Sequence, residues 1–180
     1  MYYKDFYSTN NLKAVAKDFG SENIFAVPRI TKIVVNVGAG EAVKSKNVTT
    51  DIAKQLGIIT GQKAIITKAR RSVSAFKIRE GLPIGVKVTL RGKRMIAFLD
   101  KLVHIVVPVL KDFRGIKDTC VDGHGNLNLG FTEQTIFPEI DFDSIDRMRG
   151  LQVTIATNAK SHAKGRMLFE KLGIPFVKKS

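Results

Sequence analysis

The sequence predicts an α+β fold: a mostly antiparallel β-sheet with helices packed on one face, an open polar face, and a long basic loop between two strands. Three observations support this prediction. Four segments repeat apolar residues at helical spacing, several shorter segments alternate apolar and polar residues, and a cation-rich stretch with neither pattern separates two strand segments. A chain of 180 residues is long enough for one full core, so we expect a single domain over residues 1–180.

The four helical segments each stop at a residue that helices commonly meet at or just beyond their C-terminal ends. The segments are Leu12 to Phe19 before Gly20, Val48 to Leu56 before Gly57, Met95 to Val106 before Pro108, and Met167 to Leu172 before Gly173. Ser161 stands where a hydroxyl would cap the last of these helices.

The clearest strand segments place branched apolar residues on one side and lysines, amides and hydroxyls on the other. They are ITKIVVNV (30–37), VKVTLR (86–91), NLNLGF (126–131) and QVTIAT (152–157). This alternation is typical of an antiparallel sheet with one covered face and one open face. The stretch QKAIITK (62–68) predicts a further strand, although its alternation is unclear.

The charge balance favours a polyanionic partner. The formal net charge is +14 and the sequence pI is about 10.0, and residues 67–94 alone hold nine Lys and Arg against one acid. No apolar run approaches the ~20 residues that cross a bilayer, and the N-terminus lacks a signal-peptide core, so we expect no membrane partner. The single cysteine, Cys120, is consistent with a reducing compartment and a cytoplasmic location.

Enzymatic and cofactor motifs are weak. His104, His124 and His162 lack the spacing of a metal site, and NVGAGEAV (36–43) lacks the third glycine of a dinucleotide motif. We therefore predict no metal, no cofactor and no enzymatic activity. One alternative stays open, since Glu139, Asp141 and Asp143 would share a face of an extended segment, an arrangement that suits a Mg²⁺-dependent nuclease. The other interpretation of this acidic run is a surface that docks a basic partner.

The basic loop lies between the strand segments at 62–68 and 86–91. Its cations have irregular spacing, so no single helical face explains them, and it adds hydroxyls and an aromatic ring that either stacks on a base or braces the loop. Such side chains suit phosphates and unpaired bases. The loop residues with this chemistry are Arg70, Arg71, Ser72, Ser74, Phe76, Lys77 and Arg79.

Four stretches resemble the family of the universal large-subunit ribosomal protein number five, the bacterial-type 5S rRNA-binding protein of the central protuberance. The similarity runs in order over almost the whole chain, and the block from Gly61 to Gly92 is the most specific. The stretches are VPRITKIVVNVGAGEA (27–42), ITGQKAIITKARRSVSAFKIREGLPIGVKVTLRGKRM (59–95), VVPVLKDFRG (106–115) and FPEIDFDSIDRMRGLQVTIAT (137–157).

The resemblance implies a structural role in the ribosome. It implies binding to 5S rRNA and its attachment to the large subunit, beside 23S-type rRNA and neighbouring large-subunit proteins. It also implies a contact of the basic loop with peptidyl-site tRNA, and a bridge to a basic protein of the small-subunit head. The implied rRNA-binding residues are Lys32, Asn36, Gln62, Lys63, Lys87, Thr89 and Arg91, and the implied bridge residues are Asp112, Arg114, Asp141, Asp143 and Asp146.

Overall fold

The computed structural model describes residues 15–20, 23–40, 47–110, 115–140 and 147–177. Its strands form one five-stranded sheet in the order β2-β3-β1-β5-β4, and the α+β prediction is confirmed. The strands are β1 Ile30–Gly38, β2 Ile65–Lys68, β3 Pro83–Leu90, β4 Leu127–Phe131 and β5 Leu151–Thr157. The longer helices are α1 Asn47–Thr60, α2 Gly92–Lys101 and α3 His162–Lys171.

The predicted alternation of the strands is confirmed. On β1, Ile33 and Val35 are fully buried while Asn36 is exposed, and on β3 Val86 is fully buried while Lys87 is exposed. Strand β2 pairs with β3 in antiparallel fashion. It is shorter than the predicted strand at 62–68, since only its last four residues pair.

Helix α1 extends past its predicted end. The expectation that it would stop at Gly57 is wrong, because the helix runs to Thr60 and the left-handed residue that follows it is Gly61, with φ +63°. The apolar stripe continues through Ile59, which is buried. Burial of that side chain outweighs the modest cost of a glycine inside the helix.

The helical path that begins with α2 continues beyond the predicted stop at Pro108. A π-helical turn, Leu102–Val106, follows α2, and then a last helical turn, Val107–Val109, carries the chain past Pro108. Proline fits there because the first turn of a helix needs no N–H donor from it. The predicted end of α3 is confirmed: Gly173 follows it with φ +85°, and the Ser161 hydroxyl accepts a hydrogen bond from the Lys164 N–H at its start.

The chain divides into two compact units. Unit 1 comprises Met1–Ile33, Arg91–Leu129 and Thr154–Ser180, and unit 2 comprises Val34–Leu90 and Gly130–Val153. That the whole chain folds as a single domain stays a prediction. No helix among the described residues is long and apolar enough to span a bilayer.

In unit 1, helix α3 packs directly on the turn before β4. A Cβ atom at Gly165 would lie 2.4 Å from the Gly125 Cα atom, and Gly125 itself has φ +82°. The Asp122 carboxylate organises this turn by accepting hydrogen bonds from the His124 and Asn126 N–H groups, at 2.9 and 2.8 Å. Burial alone would raise the pKa of Asp122, but these bonds and a third from the Asn126 amide hold that pKa below its ordinary value.

Candidate nucleic-acid interface

In unit 2, the face of the sheet opposite helix α1 carries polar side chains from neighbouring strands. Asn36 on β1 and Lys87 on β3 are both exposed, and each lies between buried core residues of its own strand. Helix α1 contacts β2 and β3 and buries its apolar side chains, so it occupies the opposite face. Lys63 is exposed just before β2, and no ion pair joins Lys63 or Lys87 to another described residue.

Gln62 has a structural contact that its sequence position does not reveal. Its side-chain amide donates a hydrogen bond of 3.1 Å to the Thr89 carbonyl oxygen, and both residues are half-buried. The bond ties the turn after α1 to the end of β3. Gln62 therefore helps to fix the edge of the polar face whatever else it contacts.

The two remaining residues of the implied rRNA-binding set lie in unit 1. Lys32 is half-buried on β1, and Arg91 is exposed at the start of α2. The Arg91 guanidinium donates a hydrogen bond of 3.3 Å to the Thr31 carbonyl oxygen. Arg91 thus combines an accessible charge with a hydrogen bond to β1 within unit 1.

The basic loop, residues 70–79, is a small hairpin with its own backbone bonds. Val73 and Ile78 exchange two N–H···O bonds of 2.8 and 3.1 Å, and a 3₁₀ turn at Ser74–Phe76 closes the tip. Lys77 follows in the left-handed conformation with φ 54°. At the base of the hairpin, the Ser72 hydroxyl accepts a hydrogen bond of 2.9 Å from the Glu80 N–H. Ser72 is therefore part of the hairpin framework.

The side chains of this hairpin point into solvent. Arg70, Arg71, Lys77 and Arg79 are all exposed, and none of them forms an ion pair with another described residue. Phe76 is 72% exposed at the tip, so of the two possibilities for this ring the structure favours a free stacking surface. A shallow cleft of about 770 Å³ opens beside them and is lined by Ser72, Ser74, Lys77, Ile78, Arg79 and Glu80.

Two further features of unit 2 were not predicted. Ile65 on β2 is 63% exposed and pairs with Lys87, so an aliphatic side chain lies on the polar face. Its face could not be assigned from the run AII, because both sides of that segment are apolar. In addition, a depression of about 380 Å³ is lined by residues 38–40 and 147–150, which bring Arg147 and Arg149 beside the end of β1.

The implied bridge residues lie outside the described part of the chain. They are Asp112, Arg114, Asp141, Asp143 and Asp146. Of the three acids in the nuclease alternative, Asp141 and Asp143 also lie outside the described residues, and Glu139 is exposed. Within the described ranges, no group of three or more histidine, cysteine, aspartate or glutamate side chains could hold a metal ion.

A basic sheet face beside a cationic hairpin defines a class of protein, one that binds an extended polyanion through its surface. Two family models match the chain: ribosomal protein L5 over residues 23–79, and the C-terminus of the same ribosomal family over residues 83–176. The chain belongs to the ribosomal protein L5 family.

Several curated relatives cover nearly the full chain, and the following three are each called large ribosomal subunit protein uL5. The protein of Trichlorobacter lovleyi is 47% identical over 173 residues, or 96% of this chain and 97% of its own. That of Spiroplasma kunkelii is 48% identical over 172 residues, or 96% of both chains. That of a Synechocystis species is 47% identical over 173 residues, again 96% of both chains.

Membership of this family settles the broad function. The chain is a structural, non-enzymatic protein of the large ribosomal subunit, which confirms the prediction that it is not an enzyme. Large ribosomal subunits are cytoplasmic in bacteria, so the predicted ribosome-bound location is confirmed as well.

Proposed function

We propose that the chain binds 5S rRNA through the open polar face of its sheet and attaches that RNA to the large subunit. The observation that carries the proposal is the placement of Asn36, Lys87 and Thr89 on neighbouring strands of the face that α1 leaves uncovered. The amide and hydroxyl offer hydrogen bonds to 2′-hydroxyls, and the Lys87 ammonium, which has no ion-pair partner among the described residues, offers charge to phosphates. Structured RNA is recognised largely by such contacts.

The basic hairpin has a separate role in this proposal. It contacts peptidyl-site tRNA, with Arg70, Arg71, Lys77 and Arg79 meeting phosphates and Phe76 offering a stacking surface. In support, the hairpin holds its shape through Val73, Ile78 and Ser72, so that its cations are left for a ligand. A preordered loop loses less conformational entropy when it binds than a flexible loop does.

The third part of the proposal is a bridge to a basic protein of the small-subunit head. It rests on family resemblance and on the acidic sequence between Glu139 and Asp146, where carboxylates attract a basic partner. Contacts with 23S-type rRNA and with neighbouring large-subunit proteins follow from the same membership.

A charge reversal on the sheet face tests the 5S rRNA assignment. We expect Lys87→Glu to weaken binding to a 5S rRNA transcript by tenfold or more at about 0.1 M salt, because a phosphate contact becomes a repulsion. Lys87 is preferable to Arg91 for this test, since Arg91 also bonds to Thr31 within the fold. Filter binding or fluorescence anisotropy measures the effect.

The matched control is Lys164→Glu. Lys164 is an exposed lysine on α3, in unit 1, so its reversal changes the net charge equally. Equal losses for both variants would indicate general electrostatics rather than a defined face. Full 5S rRNA binding by Lys87→Glu would refute the face assignment.

A further inference from the structure

Ile65 occupies an unusual place in the sheet. In the β2–β3 pairing its Cα partner is Lys87, whereas the next residue, Ile66, pairs with Val86. Directly opposed residues of an antiparallel pair project from the same face. Since Val86 is fully buried and Lys87 is exposed, Ile65 projects from the open polar face.

The exposure of Ile65 is large for a strand. The residue is 63% exposed, and among the described strand residues only Ile65 and Ile66, both on β2, are exposed large aliphatic residues. Its neighbours on the face are Lys87 across the pair and Thr67 two residues along. An apolar side chain on an edge strand is an aggregation liability unless a partner covers it.

We infer that Ile65 is an RNA-contacting residue that packs against the sugars and base edges of the ligand on this face. Charge decides between possible occupants, because Lys87 lies across the pair from the isoleucine and Lys63 is exposed two residues before it. Neither cation has an acidic partner among the described residues. A polyanion satisfies those cations and covers the side chain together. The wide, shallow minor groove of A-form RNA presents riboses and base edges between two phosphate backbones, and this arrangement fits an aliphatic centre flanked by cations.

This inference rests on the proposed 5S rRNA function, and it makes a distinct prediction about salt. An ammonium contact releases counterions, so its contribution to affinity falls as salt rises, with a slope of about 0.9 per phosphate on a logarithmic plot. An aliphatic contact releases none. Loss of Ile65 should therefore weaken binding equally at every salt concentration.

The experiment compares Ile65→Thr with Ile58→Thr. Threonine keeps the β-branched shape that suits a strand and removes apolar surface. Ile58 is similarly exposed, at 59%, but lies on α1, which packs against the other side of β2 and β3. Thermal unfolding of both variants first establishes that they fold as the wild type does.

For Ile65→Thr we expect about tenfold weaker binding to the 5S rRNA transcript, which corresponds to about 1.4 kcal/mol, with a salt slope parallel to that of the wild type. Ile58→Thr should bind as the wild type does, and Lys87→Ala should lower the slope by about one. Unchanged binding by Ile65→Thr, or a loss that disappears at high salt, would overturn the inference. If the wild type does not prefer 5S rRNA to a control duplex, it is the proposed function that fails.

Discussion

The separation of the basic hairpin from the sheet face is tested by replacing Arg70, Arg71 and Lys77 together with alanine. All three side chains are exposed and form no ion pair within the described residues. The hairpin is held by backbone bonds between Val73 and Ile78 and by the Ser72 hydroxyl, none of which the substitutions remove. The variant should therefore fold normally and lose only its contacts with tRNA.

The size of the effect follows from counterion release. If each cation meets one phosphate, the three contribute about 2.7 to the slope of log affinity against log salt. When salt rises from about 50 to about 200 mM, the tRNA affinity of the wild type should fall by a factor about forty times larger than the factor for the variant. Fluorescence anisotropy with labelled tRNA over that salt range measures the difference.

A matched control removes the same charge elsewhere. Lys117, Lys160 and Lys164 are exposed residues of unit 1, and Lys160, like Lys77, has a positive φ, at 61° against 54°. Their replacement by alanine should leave the slope for tRNA unchanged. If 5S rRNA binding collapsed in the hairpin variant, or if tRNA binding kept its full slope, the separation of hairpin and sheet face would be wrong.

The remaining predictions concern the turn under α3. Gly165→Ala places a Cβ 2.4 Å from the Gly125 Cα atom, so the backbone must move. We expect urea unfolding to show a free energy of unfolding about 3 kcal/mol lower than that of the wild type. A variant as stable as the wild type would contradict this close packing. Asp122 has a lowered pKa, so its stabilising effect is present above its unfolded pKa of 3.8 and is lost as the pH falls through the lower folded value. The stability difference between wild type and Asp122→Asn should shrink in unfolding experiments below that pH, whereas a constant difference would contradict the role of the carboxylate.

The sequence predicts elements whose pattern is local and periodic. Residues such as Val88, between Lys87 and Thr89, and Val153, between Gln152 and Thr154, alternate with polar neighbours, and this pattern identified both the strands and the covered face. The end of α1 was predicted wrongly because glycine, here Gly57, often follows the end of a helix. In the structure the helix continues to Thr60, because the extra turn buries Ile59 in the core, which is a tertiary effect. Local pattern fails where packing between distant segments outweighs propensity.

The site was predicted less completely for the same reason. The cations of the basic loop can be seen in the sequence, but the backbone pairing of Val73 with Ile78, which forms the hairpin that presents them, cannot. The bond from Gln62 to the Thr89 carbonyl joins residues 27 positions apart. The position of Ile65 on the polar face depends on the β2–β3 register, which an all-apolar run does not specify.

The identity of the RNA that co-purifies with the chain at low salt tests the central claim most directly. Sequencing of that RNA should find 5S rRNA enriched over its share of total cellular RNA, and the enrichment should fall when Lys87 is reversed to glutamate but persist when Lys164 is reversed. Co-purified RNA with the composition of total RNA, in the wild type and both variants alike, would contradict the account.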